Sequence, residues 1–550
     1  MKQRRGSMRT KGAIHEGQFT HQALQMMILL GALWMACANP IAPTGGPKDE
    51  TPPKLDSLKS TPGLQTDFKP REIELSFDEW IKLDNPSQQI LISPPLNKRP
   101  KIELRGKTVK ISLDKEEILR ENVTYTIQFG EAIKDLNEGN ILRNFRYVFS
   151  TGPVLDSLTL TGKAVKAYEQ TPYENITVML YQTATDSVVV KETPYYFART
   201  NKQGFFRFEN IAAGDYKIFA LNDANQNYKF DNLSEETGFL KERILVPQEN
   251  LSDSALTLSL FTQPLNFRLL ENNHYRQVSK LVFNRPPGDV SLAAEEGLTL
   301  NTTFVEEDTL WVWHDTLFSQ TVWHLQSLPD YFDTVKVYRD SVKWFTSSPR
   351  ITLASRNTLY PGHPVEVLAS QPVIRADSSR IGYLDSIGWV AVPVTIDSVY
   401  PYRLLLKYPW LPDKRYRVVF LPNALLTSAY NPHDTLKVDL NFANPERFGG
   451  LNLHVTGLDS ASSYVLNLVV DNKVVRQEKI SLLDHYKVQW LGLEPGQIHV
   501  HIFEDKNGNG RWDPGHYWRY LYPEPIKWLK IENLKANWTV DNRINWSSGQ

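Results

Sequence analysis

Glu72-Ile73-Glu74-Leu75-Ser76-Phe77 alternates polar and apolar side chains along its whole length. A period of two places one set on each face of a strand, whereas a helix needs its apolar residues at a spacing near 3.6, so this stretch reads as a half-buried β-strand. The alternation recurs outward from it in Thr124 to Phe129 and Ile498 to Phe503, and short runs rich in β-branched and aromatic residues stand at Tyr147 to Gly152, Val365 to Leu368 and Tyr416 to Phe420. Asn, Asp, Gly and Pro separate these runs, and no stretch keeps helical periodicity for long. With 14 Trp, 24 Tyr and 24 Phe available as large core side chains, the expected class is all-β, in tandem β-sandwiches.

The chain has 550 residues, which at about 100–200 residues per domain means three to five folded units. Apolar residues make up 41% and charged residues 22%, enough to give each unit a core. Lys plus Arg (61) nearly cancel Asp plus Glu (62), which removes the basic footprint expected of a nucleic-acid binder. No Gly-x-Ser-x-Gly elbow, His-Glu-x-x-His pair or Gly-rich phosphate loop occurs, and the expected role is noncatalytic.

The one cysteine, Cys37, closes an apolar run from Ala23 to Ala36 preceded by Lys2, Arg4, Arg5, Arg9 and Lys11. A basic segment, a short apolar run and small residues form the pattern of a secretory signal, and the run is too short to span a bilayer of about 30 Å as a helix. Leu33-Trp34-Met35-Ala36-Cys37 resembles the lipobox of bacterial lipoproteins, in which the cysteine is acylated and becomes the first mature residue. Trp34 departs from that motif, which has an aliphatic residue there. The alternative is an ordinary signal peptide cut elsewhere. The expectation is a signal peptide over 1–36 and a lipidated tether over 37–53, holding the protein to the outer membrane without a transmembrane helix.

Four further units are expected after a first one at 54–152. In that first unit, Phe77 with Asp78 and Glu79, the Tyr125 strand, the polar hairpin Asp135 to Asn140 and the closing Phe149 to Gly152 resemble the bacterial Ig-like domain of the S-layer and adhesin type. Thr44-Gly45-Gly46-Pro47-Lys48-Asp49 is similar to the start of Ig-like outer-membrane lipoproteins of the Bacteroidota. The unit at 154–250 carries Gly204-Phe205-Phe206-Arg207-Phe208-Glu209-Asn210-Ile211 and Gly214-Asp215-Tyr216-Lys217-Ile218. That pairing resembles the transthyretin-like, or carboxypeptidase regulatory-like, sandwich, and the resemblance implies that the two strands form a hairpin. A stretch at 446–546 repeats the scheme with Leu491 to Glu494, Pro495-Gly496 and Ile498 to Phe503. Between them lie a sandwich of uncertain type at 251–349 and an Ig-like one at 350–444.

Two loops in the repeated units are the sharpest site candidates. Asp223, Asn225, Asn227 and Asp231 have the same spacing as Asp505, Asn507, Asn509 and Asp513, oxygen-bearing side chains at relative positions 1, 3, 5 and 9. Ca2+ takes six to eight oxygen ligands, and an EF-hand loop uses those positions. Only the second loop has Gly at position 6 (Gly510), and position 12 holds Ser234 and His516 in place of Glu. Calcium is the candidate ion, and Asx turns in a tight connection are the alternative.

Asp followed by Ser or Thr and a small or aliphatic residue occurs twelve times, and the triplet is similar to the O-glycosylation acceptor of exported Bacteroidota proteins. The acceptors would be Ser57, Ser157, Ser187, Ser254, Thr309, Thr316, Thr334, Ser341, Ser386, Ser398, Thr435 and Ser460. Turn formation before a strand explains the same triplet without sugar. The functional expectation is a multi-domain structural or protein-interaction scaffold of the cell envelope, an accessory subunit of an outer-membrane assembly or export complex with a β-barrel partner. The alternative is an adhesin or glycan-binding lipoprotein in which Trp311, Trp313 and Trp323 stack on sugars.

Overall fold

The structure is a computed structural model that describes residues 49–547, apart from 248–255, 276, 288–289, 295–299, 307, 315–320, 328–330, 338–345, 355–357 and 399. The protein is all-β, a series of sheets packed face to face, and the two α-helices among the described residues, Pro86–Gln89 and Val188–Lys191, are single turns.

In the first sandwich Glu72–Ser76 pairs with Thr108–Ser112, which in turn pairs with Lys101–Arg105. The facing layer is Leu91–Ser93, Thr124–Gln128 and Arg146–Ser150. The period-two pattern does what it promised: Ile73, Leu75, Val109 and Ile111 point inward against Tyr125, Ile127 and Phe149. Tyr125 and Phe149 stack with ring centroids 5.3 Å apart.

The second and fifth sandwiches share one strand order, except that in the second Glu236–Phe239 also pairs with Thr257–Thr262 and joins the two layers along one edge, whereas the fifth keeps two separate sheets. In the second, Leu158–Lys166 pairs antiparallel with Phe205–Ile211 and parallel with Thr257–Thr262. Its facing layer runs Tyr196–Arg199, Thr177–Tyr181, Gly214–Leu221, Glu236–Phe239. In the fifth, Gly449–Thr456 pairs antiparallel with His485–Leu493 and parallel with Thr539–Asn545. There the facing layer runs Lys473–Ser481, Ser463–Val470, Gly496–Glu504, Ile526–Leu534.

This topology corrects two expectations. Phe205–Ile211 and Gly214–Leu221 are not a hairpin: each pairs with other strands, and Ala212-Ala213 carries the chain from one layer to the other. The arch has a physical reason, because it sets Phe206 and Phe208 of one strand against Tyr216, Ile218 and Ala220 of the next in a single core. Two such apolar faces in one sheet would need a third layer to cover them. The boundary expected at residue 250 is also misplaced, since Thr257–Thr262 closes the second sandwich and buries Leu258 and Leu260 in its core.

The third sandwich packs the sheet Leu269–His274, Val278–Phe283, Thr309–His314, Leu300–Glu306 against Val290–Ala294, Thr321–Ser327 and Tyr331–Val337. The fourth encloses Val367, Leu404, Leu406, Val418 and Phe420 between two four-stranded sheets.

The sandwiches do not form a straight row. Val278 and Trp313 of the third share a small core with Ala429 of the fourth, and Tyr360 of the fourth meets Phe448 of the fifth edge-on at 5.5 Å. The fifth then turns back onto the second, burying Tyr517 among Phe219, Phe230, Phe239 and Phe261. The tandem units thus form a closed frame, because aromatic surface on both partners leaves water only when the ends meet.

Candidate cation loops at the seam between two sandwiches

Both candidate loops leave a strand of the facing layer: Gly214–Leu221 runs into Asp223, and Gly496–Glu504 runs into Asp505. In the first loop the Asp223 carboxylate accepts the backbone N–H of Asn227 at 3.2 Å and of Tyr228 at 2.9 Å. Asn227 Nδ2 donates to Asp231 at 2.6 Å, and Asn225 Nδ2 reaches the same carboxylate at 3.4 Å. In the second loop Asp505 Oδ2 accepts the N–H of Gly510 at 2.8 Å, while Asn507 and Asn509 donate to Asp513 Oδ2 at 2.6 and 2.8 Å. The four residues of each loop therefore come together, with Asn Oδ1 atoms also taking backbone N–H groups two residues on. Asx turns are thus present in both loops.

Each loop is backed by a buried glutamate that the sequence reading missed. Glu524 Oε1 accepts from Lys506 N at 2.8 Å and Oε2 from Asp513 N at 3.0 Å, tying the two ends of the second loop together. Burial pushes the Glu524 carboxyl up to about 7, with the negative charges of Asp513 and Asp505 adding to the rise. Behind the first loop stands Glu235, which burial first, and then Asp231 and Asp223, hold above the usual carboxylate range. Glu235 lies one residue past position 12 of its loop, so a wider search window finds it; Glu524 lies eleven residues after Asp513, where no spacing rule points. Among the described residues, no three His, Cys, Asp or Glu side chains form a ready-made metal cage. Amide and backbone oxygens would have to complete any coordination shell here.

The loops face one seam. Phe230, beside Asp231, meets Tyr517 at 6.3 Å and stacks on Trp518 at 6.4 Å. Trp512, beside Asp513, meets Tyr168 at 4.9 Å and donates from Nε1 to the Glu524 carbonyl at 2.7 Å. The strap from Trp512 to Tyr522 thus leaves the second loop and plugs into the second sandwich. Tyr517 N donates to Gln263 Oε1 at 3.1 Å, Tyr517 OH to the Asp186 carbonyl at 2.9 Å, and Lys241 N to Tyr522 OH at 2.8 Å. Lys217, buried beneath, pairs with Asp186, which also accepts from Tyr520. On its other side the first loop borders a cleft of about 240 Å3 between the first and second sandwiches, where Arg99 donates to Gln226 Oε1 at 2.9 Å.

The remaining candidates divide by exposure. Ser57, Ser157, Thr334, Ser386, Ser398, Thr435 and Ser460 are exposed, several of them in turns. Thr309 is buried, with its hydroxyl bonded to Asp308 at 3.2 Å, and is withdrawn as an acceptor because no enzyme reaches it in the folded chain. Ser187 is half-buried, and its Asp186 belongs to the seam. Cys37, Ser254, Thr316 and Ser341 lie outside the described residues. Trp313 and Trp323 are 1% and 0% exposed, core side chains rather than a sugar platform, and Trp311 is half-buried.

Comparison with known proteins adds one assignment. No curated protein matches the chain. Among solved structures, the major pilin subunit BcpA of Bacillus cereus aligns at 11% identity over 71% of this chain and 99% of its own, with a TM-score of 0.14. The Bacillus anthracis TIE protein aligns at 9% identity over 97% and 79%, TM-score 0.14, and the BSP domain of a biofilm associated protein at 8% over 85% and 96%, TM-score 0.15. Superpositions at such TM-scores do not establish a shared architecture. Residues 49–151, which hold the first sandwich, match the bacterial Ig-like domain family.

Proposed function

We propose that this protein is a noncatalytic scaffold of the bacterial cell envelope, anchored to the outer membrane by acylation of Cys37 and presenting its β-sandwiches to other envelope proteins. The observation that carries this reading is the seam. Tyr517 is 1% exposed between two sandwiches hundreds of residues apart, so the units are held as one frame rather than as beads on a string. A frame of this kind fixes the spacing of its binding edges, which lowers the entropy lost when a partner docks. Lys473–Ser481 is the outer strand of its sheet, with Val474 and Val475 half exposed, and such an edge is a natural pairing site for another chain.

The bacterial Ig-like match at 49–151 supports an envelope setting, and the lipobox-like segment supports the anchor. The second and fifth units are read as transthyretin-like, and the exposed Asp-Ser and Asp-Thr acceptors as glycosylated. The partner proposed is a β-barrel of an outer-membrane assembly or export complex. Affinity purification of the acylated protein from solubilised outer membranes tests this: recovery with a stoichiometric barrel supports it, and recovery alone speaks against it. Of the three tryptophans named for a glycan-binding role, Trp313 and Trp323 are in the core and Trp311 is half-buried, which weighs against that alternative.

A further inference from the structure

We propose that the Asp505 loop binds one divalent cation of the Ca2+ class, and that this ion locks the strap Trp512 to Tyr522 into the second sandwich. The inference does not depend on where the protein is anchored or on what it binds.

The donor set is all oxygen. Asp505, Asn507, Asn509 and Asp513 converge on one loop, and Glu524 closes it from behind. Hydrogen bonds within that cluster do not by themselves require an ion. The decisive atom is Asp505 Oδ1. Its residue is 5% exposed, the sister oxygen is satisfied by Gly510 N–H, and Oδ1 is buried with no hydrogen-bond partner at all. A buried carboxylate oxygen left without a donor costs several kcal/mol unless a cation faces it. Lys479, whose ammonium lies beside Gly510, does not hydrogen-bond to that oxygen. The first loop differs: both oxygens of its Asp223 accept backbone N–H groups, and the atom without a partner there is Oε2 of Glu235, which is 6% exposed.

The chemistry selects the ion. Carboxylate and amide oxygens without thiolate or imidazole suit hard cations, and an irregular set of loop side-chain and backbone oxygens suits Ca2+ better than Mg2+, which demands a near-ideal octahedron. Each Asn Oδ1 has a second lone pair beyond the one its Asx turn uses, so coordination leaves those turns intact.

The loop and the strap are one mechanical unit. Glu524 holds Lys506 N and Asp513 N, Trp512 Nε1 holds the Glu524 carbonyl, and Glu524 N returns to the Asp513 carbonyl at 3.1 Å. An ion seated on Asp505 and the loop's amide oxygens therefore steadies the loop whose Lys506 and Asp513 N–H groups Glu524 holds, and with it both ends of the segment that delivers Tyr517 to its aromatic slot.

The test uses the full chain stripped with chelator and then titrated with CaCl2, read by calorimetry and by hydrogen exchange. Binding is expected together with slower exchange in residues 512–522 and in the facing strand Gly214–Leu221. Asp505→Asn and Asn507→Ala should each weaken binding about tenfold or more and abolish the exchange effect. Asn507 is exposed, so its variant keeps the test alive if Asp505→Asn fails to fold. Absence of binding at millimolar Ca2+, binding unaffected by either variant, or binding that leaves exchange at 512–522 unchanged each overturns the proposal. Loss of binding in Glu235→Gln but not in Asp505→Asn overturns the assignment to this loop.

Discussion

Trp528 Nε1 donates a hydrogen bond of 2.6 Å to the backbone carbonyl of Tyr168, across 360 residues of sequence. Around it, His501 meets Trp528 edge-on at 4.4 Å, and Tyr168 meets Trp512 and Trp528 at 4.9 and 5.3 Å. Next to this polar anchor lies the larger apolar one, where Tyr517 meets Phe219 at 5.0 Å and Phe239 at 5.3 Å. The seam between the second and fifth sandwiches is thus built like a protein core, with Trp528 Nε1, Trp512 Nε1 and Tyr517 OH each hydrogen-bonded to a backbone carbonyl.

Removing the plug should open the frame without unfolding its parts. Replacement of a buried aromatic by alanine costs about 3–5 kcal/mol, and here the loss falls on contacts between sandwiches. Tyr517→Ala is therefore expected to raise the radius of gyration in small-angle scattering while the far-ultraviolet circular dichroism stays that of the parent. An unchanged scattering profile would show that the seam does not hold the frame shut.

A smaller change at the strap probes packing alone. A Cβ added at Gly515 would lie 2.5 Å from Phe261 Cζ and 2.6 Å from the Leu521 carbonyl oxygen, closer than real Cβ atoms come. Because the second of these is backbone, the strap itself must shift. Gly515→Ala should destabilise the protein by about 1–3 kcal/mol, seen as a lower urea midpoint, and should expose the strap to limited proteolysis. A variant as stable and as resistant as the parent would mean that the strap has slack.

How much of this was legible beforehand follows from the range of each signal. The period-two runs at Glu72 to Phe77 and Gly204 to Ile211 identify strands because side-chain alternation is local. Strand pairing is not local: nothing in Phe205 to Ile211 or Gly214 to Ile218 says that consecutive strands enter opposite layers, or that Thr257–Thr262 returns to pair in parallel with Leu158–Lys166. The Asp and Asn spacing of the two loops was readable for the same local reason, and the structure brings those residues together. Glu524 and Tyr517 were invisible because their roles depend on which surfaces meet. Tryptophans misled in the same way, since Trp313 and Trp323 sit in a polar-looking sequence beside His314 and His324 yet face inward.

Acylation is checked at the N-terminus. If Cys37 carries the anchor, Cys37→Ser should move the protein from the outer-membrane fraction to the soluble one, and mass analysis of the parent should show an acylated cysteine as the first residue. Sedimentation of the variant with membranes to the same extent as the parent would dispose of the lipid.

The pH dependence of stability isolates Glu524. Its carboxyl sits at about 7 in the folded chain through burial, with the charges of Asp513 and Asp505 nearby, against about 4.3 in an unfolded one. Between those values the folded state holds a proton that the unfolded state has released, so this contribution falls as pH rises and is fully lost above about 7. The span corresponds to a loss on the order of 3 kcal/mol. Buried His274 and His501, both pushed down to about 4, work the opposite way: their contribution is present above about 6.5 and lost as pH falls toward 4. Their slope overlaps that of Glu524, so the parent must be compared with Glu524→Gln, in which both histidines persist. In chelator, the urea-midpoint difference between parent and variant should shift against the parent from pH 5 to pH 8; in saturating Ca2+, the cation compensates the carboxylate and the shift should shrink. A difference that does not change with pH in chelator would mean that Glu524 titrates as an ordinary surface acid, and that its burial behind the loop carries no electrostatic penalty for a cation to relieve.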